Sequence, residues 1–220
     1  MKKLVLFDMD GTLIDSDELV LFIYDQLTKT YPPIISFDTL DLGDVFAASY
    51  PDVIKELYGD FNQEHLYEIY KLNQTYKNKY LKLFQGVHEL LDTLKKQDYL
   101  LGLVTSEMRE IAISELESLG ILEYFEHIVA FDDVSKPKPD PEGIINHLEF
   151  FNCSHEQTIY IGDQKSDGIA SSNARVISVL MDWKLNKTID YKNLFDYVAC
   201  DSHELISIIK DVFDEKNKKR

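Results

Sequence analysis

Leu4-Val5-Leu6-Phe7-Asp8-Met9-Asp10-Gly11-Thr12-Leu13 is the stretch on which the reading of this chain turns. The apolar run Leu4 to Phe7 predicts a short buried strand, too brief to begin a helix. It ends in two carboxylates one residue apart, then a glycine and a threonine. Asp8 and Asp10 thus project from a strand's carboxyl end, where open α/β sheets place their ligands. Gly11 permits the sharp backbone turn that follows. Two acids at this spacing can hold a divalent metal while dividing nucleophile and acid–base roles. Taken alone, the stretch is equally an ordinary strand-to-turn exit, since Asp-Gly pairs are common in turns.

Outward from this strand, the pattern is first helical and then alternating. Ser16 to Thr30 has Leu19, Phe22, Ile23 and Leu27 on one face, with Ser16 as the expected N-cap and Asp17 and Glu18 in the first turn. Tyr31-Pro32-Pro33 stops it. Two further helices are expected at 44–58 and 63–82, with Pro51 starting or kinking a turn. From Gly86 onward, strands at 100–105, 127–131, 158–161, 176–180 and 197–200 alternate with helices at 87–96, 107–119, 140–151, 166–174 and 202–213. Residues 214–220 are expected to fray. Such alternation predicts an α/β fold with a Rossmann-like, mostly parallel sheet covered by helices on both faces. The domain boundaries expected are 1–15 with 83–220 for the α/β core, and 16–82 for an inserted α-helical cap.

Composition narrows the function. The 220 residues are 45% hydrophobic and 28% charged, enough for one core with a smaller insert. A net charge of −16 argues against nucleic acid or an anionic membrane as partner. Arg109, Arg175 and Arg220 are the only arginines, so an anion clamp must lean on lysine, backbone N–H groups and metal. Cys153 and Cys200 read as core residues, and the six histidines lack paired ligand spacing. Asp8 and Asp10 interrupt the opening apolar run, so no signal peptide is expected, and no run approaches the ~20 residues that span a bilayer. A cytoplasmic location is the expectation, and nothing in the sequence points to a protein partner.

Four polar groups recur where buried strands end: Asp8 and Asp10; Thr105-Ser106; Lys136 within Ser135-Lys136-Pro137-Lys138-Pro139-Asp140; and Asp163 and Asp167 within Gly162-Asp163-Gln164-Lys165-Ser166-Asp167. In a parallel sheet these ends share one edge, so carboxylates, hydroxyls and an ammonium converge on one crevice.

In these four motifs, their order and their spacing, the chain resembles the haloacid dehalogenase superfamily, in its branch similar to phosphoglycolate phosphatases and β-phosphoglucomutases. The resemblance covers essentially the whole sequence, and the insert resembles that superfamily's helical cap. It implies an Mg²⁺-dependent phosphatase acting on a small phosphorylated metabolite. Asp8 would be the nucleophile that forms an aspartyl-phosphate, and Asp10 the acid and base. Asp8, the Asp10 main-chain carbonyl and Asp163 would bind Mg²⁺. Thr105 and Lys136 would hold the transferring phosphoryl group, with Ser106 as a further phosphate contact, and Asp167 would orient the metal site from outside. The family pattern Lys-Pro-x-Pro-Asp selects Lys136 and leaves Lys138 in solvent.

The same residues also admit plainer roles. Thr105 and Ser106 suit a helix cap or loop, Asp132 and Asp133 are expected as loop charges, and the cap's tyrosines and phenylalanines as packing. Arg175 stands where relatives usually have a helix-closing glycine, and a local change in that turn is expected. A phosphomutase is the nearest enzymatic rival, but Val20 occupies the position where β-phosphoglucomutases carry a hinge histidine. Pyrophosphatase activity and a non-catalytic regulatory role on the same fold stay open as well.

Overall fold

A computed structural model describes residues 2–185 and 190–218. Its centre is a six-stranded, all-parallel sheet of order β5-β4-β1-β6-β7-β8, formed by β1 (Leu4–Phe7), β4 (Leu100–Val104), β5 (His127–Val129), β6 (Thr158–Gly162), β7 (Ile177–Met181) and β8 (Tyr197–Ala199). All four residues of β1 are buried, as expected for a strand covered on both faces. Its side chains divide between two cores. Val5 and Phe7 join the larger core, and Leu4 and Leu6 pack with Ile144, Leu148 and Tyr160 on the other face. Helices α5 (Val87–Lys96), α6 (Arg109–Ser118), α7 (Glu142–Phe151), α8 (Lys165–Ala174) and α9 (Ser202–Lys218) connect and flank the strands. No helix among the described residues is long and apolar enough to cross a membrane.

Between β1 and β4 lies an all-helical insert of α1 (Asp17–Thr30), α2 (Leu42–Ala47), α3 (Tyr50–Tyr58) and α4 (Gln63–Tyr80). The chain enters and leaves it through two-residue antiparallel strands that the sequence pattern does not announce, β2 (Ile14–Asp15) and β3 (Lys82–Leu83). Two residues carry too little periodicity to stand out. This crossing is braced from the α/β layer. Trp183 Nε1 donates to Thr12 O at 2.9 Å, and its indole stacks on Phe84 with centroids 4.9 Å apart.

Several local expectations change. The single helix expected over 44–58 is two, because Ser49 starts a new one, accepting from Asp52 N, and Pro51 in its first turn cannot donate to a preceding helix. Asp41 caps the shorter α2, accepting from Gly43 and Asp44 N–H groups. Ser16 makes no capping bond to α1; its hydroxyl instead serves the Asp10 carboxylate. The last helix runs to Lys218 rather than stopping at Phe213, since residues 214–218 contain no breaker; the expectation for 219 and 220 lies outside the described residues.

At the end of α8 the turn itself is kept. Arg175 adopts φ 58° and ψ 32°, the left-handed conformation glycine would supply, and its N–H closes on the Ser171 and Ser172 carbonyls. An L-residue there is strained by about 1–2 kcal/mol, partly offset by the greater chain entropy that glycine loses on folding. Arg175→Gly is therefore expected to stabilise the protein by about 0.5–1 kcal/mol, raising the thermal midpoint by roughly 1–4 °C. An unchanged or lower midpoint in a melting experiment would contradict this.

Candidate active site

The carboxyl ends of β1, β4 and β6 meet at one edge. β1 pairs with β6 in the register Phe7 to Ile161, and Asp8 N donates to Ile161 O at 2.8 Å, so Asp8 emerges beside Asp163. Gly11 turns the chain away with φ +74°. A Cβ there would lie 2.2 Å from Asp163 Oδ2, so only glycine lets the two loops approach this closely. Thr12 Oγ1 donates to Asp163 Oδ1 at 3.1 Å and Gln164 Nε2 to Oδ2 at 2.9 Å, which fixes that carboxylate.

The lysine at the centre of the site is Lys138, not Lys136. Lys138 Nζ donates to Asp8 Oδ1 at 2.7 Å and Asp167 Oδ1 at 2.8 Å, and all three side chains are nearly or fully buried. Lys136 is exposed. Its N–H and that of Ser135 are tied to the Glu142 carboxylate at 3.0 and 2.9 Å, which holds residues 135 and 136 on the outside of the loop. The turn closed by Asp140 N to Pro137 O at 3.0 Å then aims Lys138 inward. The sequence holds two overlapping Lys-Pro-x-Pro registers, Lys136 to Pro139 and Lys138 to Pro141. The second register was the available signal, and the spacing alone does not choose between them.

Asp167 has no free lone pair directed at the crevice. Its Oδ1 accepts from Lys138 and from Tyr160 Oη at 2.9 Å, and its Oδ2 from the N–H groups of Asp163 and Gln164 at 3.1 and 2.8 Å. It anchors Lys138 and the loop carrying Asp163. Thr105 is buried at the tip of β4, and its Oγ1 accepts from Glu107 N at 3.0 Å. The hydroxyl proton stays available to donate, so capping and anion contact are compatible. Ser106 lines the same cavity.

Negative charge exceeds positive charge here. Burial, opposed by Lys138 and reinforced by Asp167 and Asp10, pushes Asp8 up to about 7. Burial, then Asp8 and Asp167, holds Asp163 well above the usual carboxylate range, and burial likewise raises Asp10 against the Ser16 hydroxyl bond. Oxygen atoms of Asp8, Asp163 and Asp167 lie within 4.8 Å of one another. A buried set of hard oxygen donors short of positive charge fits Mg²⁺. With Asp167 saturated, Asp8 and Asp163 are the carboxylates placed to hold the ion.

These groups open into a cavity of about 250 Å³ between the sheet edge and the insert. The insert contributes Val20, Tyr24, Val45 and Tyr50, and the α/β layer contributes Glu107 and Glu115. Neither glutamate stood out in the sequence, which places both in the helix expected at 107–119; that helix begins only at Arg109, so Glu107 lies in the loop before it. None of Lys55, Lys71, Lys77 and Lys79 lines the cavity. Lys55 pairs with Asp52 and Lys71 with Glu68. Lys79 donates to Tyr80 Oη, and Lys77 is buried against Gln74 and Ser114.

Burial, then Asp10, pushes Glu115 up to about 8 from its ordinary 4.5, against the opposing bond from Asn73 and the charge of Lys77. The folded protein therefore binds more protons at this site than the unfolded chain, and stability falls as pH rises from about 4.5 to 8, by at most ~1.4 kcal/mol per pH unit. Without metal, Glu115→Gln is expected to melt above the wild type by a margin that grows from pH 5 to pH 8 and then levels off. A margin independent of pH would refute the assignment.

Comparisons with known proteins bear on the family. The family model of the haloacid dehalogenase-like hydrolases matches residues 5–181. A pyrophosphatase PpaX from Halalkalibacterium halodurans is 31% identical over 207 residues, covering 93% of this chain and 95% of that protein. Among solved structures, a putative phosphoglycolate phosphatase from Lactobacillus plantarum aligns with a TM-score of 0.78 at 23% identity, covering 94% of this chain and all of that one. A putative β-phosphoglucomutase from Thermotoga maritima aligns with a TM-score of 0.74 at 23% identity, covering 96% and 99%. The two structural likenesses bear on the fold alone; the family match and the 31% identical relative carry the assignment. The chain belongs to the haloacid dehalogenase-like hydrolases.

Proposed function

We propose that this protein is an Mg²⁺-dependent phosphatase that hydrolyses a small phosphate monoester through an aspartyl-phosphate on Asp8. The observation that carries the reading is the buried Asp8 carboxylate, held by Lys138 beside Asp163 in the lining of the cavity. The Asp8 oxygen attacks phosphorus as the bond to the leaving alkoxide breaks, and Asp10 gives that alkoxide its proton. Asp10 then takes a proton from water, whose oxygen attacks the phosphorus, releasing phosphate and restoring Asp8. Lys138 and the Thr105 hydroxyl face the negative charge that spreads over the phosphoryl oxygens. The Asp8 and Asp163 carboxylates, with the Asp10 main-chain carbonyl, are the groups that would hold Mg²⁺. When bound, the ion supplies the positive charge that lets an anionic carboxylate meet an anionic phosphate. The helical insert acts as the cap that covers the leaving group.

Hydrolysis is favoured over phosphoryl return to a sugar because no histidine is present among the described lining residues, and Val20 faces the cavity. Pyrophosphate is the second reading, supported by the relative named as a pyrophosphatase.

Asp8→Asn is expected to abolish turnover of an aryl phosphate while leaving the circular dichroism spectrum intact, and beryllium fluoride with Mg²⁺ to inhibit the wild type. Turnover by the asparagine variant near the wild-type rate would exclude the aspartyl-phosphate. Lys138→Ala is expected to lower kcat by a hundredfold or more and to destabilise the fold by about 3–5 kcal/mol, because it leaves two buried carboxylates without their cation. Lys136→Ala should stay within about 0.5 kcal/mol and near the wild-type rate. The reverse ranking would return the phosphate contact to Lys136.

A further inference from the structure

Part of the cavity lining is carboxylate and tyrosine, and among the described residues Lys77 is the cation whose charge reaches Glu115. Glu115 is 2% exposed. Its Oε1 accepts from Asn73 Nδ2 of α4 at 2.5 Å, while Oε2 has no hydrogen-bond partner among the described residues although the side chain lines the cavity. Asn73 is wholly buried, and its Oδ1 also lacks a partner among the described residues. Glu107 lines the same space. Lys138 and Lys184 are the only lysines among the described lining residues. The first is held by Asp8 and Asp167, and the second pairs with Asp17. Lys77, on the helix of Asn73, spends its ammonium donors on Gln74 Oε1 and on the carbonyl and hydroxyl of Ser114. Two rings complete this part of the lining, Tyr24 and Tyr50, with centroids 5.9 Å apart.

Resting on the phosphatase reading, we infer that the leaving group carries a protonated amine, received by Glu115 with Glu107, Tyr24 and Tyr50 around it, so that the substrate is a small aminoalkyl phosphate monoester. An ammonium donates to the unpartnered Glu115 oxygen and neutralises a carboxylate that burial otherwise penalises. The tyrosine faces attract the same charge. A leaving group ending in carboxylate or a second phosphate meets two acids, and both described lysines of the lining are already paired. The reaction is unchanged: the phosphorus–oxygen bond breaks, and the amino alcohol departs with the proton from Asp10.

The test compares kcat/KM, with Mg²⁺, for O-phosphoethanolamine, ethyl phosphate, 2-phosphoglycolate and inorganic pyrophosphate. Phosphoethanolamine differs from ethyl phosphate essentially by its ammonium group, and one charge-assisted hydrogen bond corresponds to about tenfold or more. The wild type is expected to prefer phosphoethanolamine over ethyl phosphate by about tenfold or more, mainly through KM, and to rank both anionic compounds last. In Glu115→Gln the preference should shrink to about twofold, again through KM. Because the wild-type ratio is read without any variant, the outcome does not hang on whether the glutamine protein folds. Equal rates for phosphoethanolamine and ethyl phosphate, or preference for phosphoglycolate, would overturn the inference and leave the phosphatase reading standing; preference for pyrophosphate would overturn the inference and favour the pyrophosphatase reading. A wild-type preference that Glu115→Gln does not touch would remove Glu115 from it. If no phosphate ester is hydrolysed with Mg²⁺, the phosphatase reading falls and this inference falls with it.

Discussion

One buried ammonium holds the site together. Lys138 arrives from the loop after β5 and bridges Asp8 on the β1 tip and Asp167 in the first turn of α8. Three segments far apart in sequence are thereby fixed to one another at the sheet edge. Burial works against the charge on Lys138, but Asp167 and Asp8 outweigh it and hold the lysine above its ordinary value. Such a bridge contributes little net stability compared with apolar packing of the same volume, yet removing one partner strands buried charge. Its value lies in position: it keeps an Asp8 carboxylate aimed into the crevice.

Around that bridge, supporting atoms leave little room for change. Asp167 accepts four hydrogen bonds, two of them from the backbone of the loop that carries Asp163. Tyr160, fully buried in β6, supplies another of the four. Asp163 is held in turn by Thr12 and Gln164. Preorganisation of this kind lowers the cost of assembling charges during a reaction, because the groups need not move to meet them.

The cavity brings two kinds of lining together. At the sheet edge, the groups suit a phosphate and a divalent cation. Under the insert, Val20, Tyr24, Val45 and Tyr50 with Glu107 and Glu115 form a space of different chemistry. At the mouth of the crevice, the two short crossing strands and the Trp183 and Phe84 stack join insert to core. An insert carried on two such short crossings can vary its lining without disturbing the carboxylates at the sheet edge.

Much of this was legible in the sequence. Leu4 to Phe7 announces a central strand because a strand buried on both faces must be apolar throughout, and the alternation beyond Gly86 announces a parallel sheet for the same reason. Parallel strands place their carboxyl ends on one edge, so strand order alone brings Asp8, Asp10, Thr105 and Asp163 together. Lys136 and Lys138 show where sequence stops. Both lysines fit the Lys-Pro-x-Pro core of the pattern, and the choice depends on Glu142 pinning one side of the loop and a turn aiming the other inward. Glu115 and Asn73 lie 42 residues apart on unremarkable helices, and only packing of the insert on the core buries them against each other. Local sequence determined which residues form strands, helices and strand-end loops, because periodicity and turn chemistry act over a few residues. Tertiary structure alone decided which lysine is buried and which glutamates face the cavity, because desolvation and unpaired charge arise only when distant segments exclude water together.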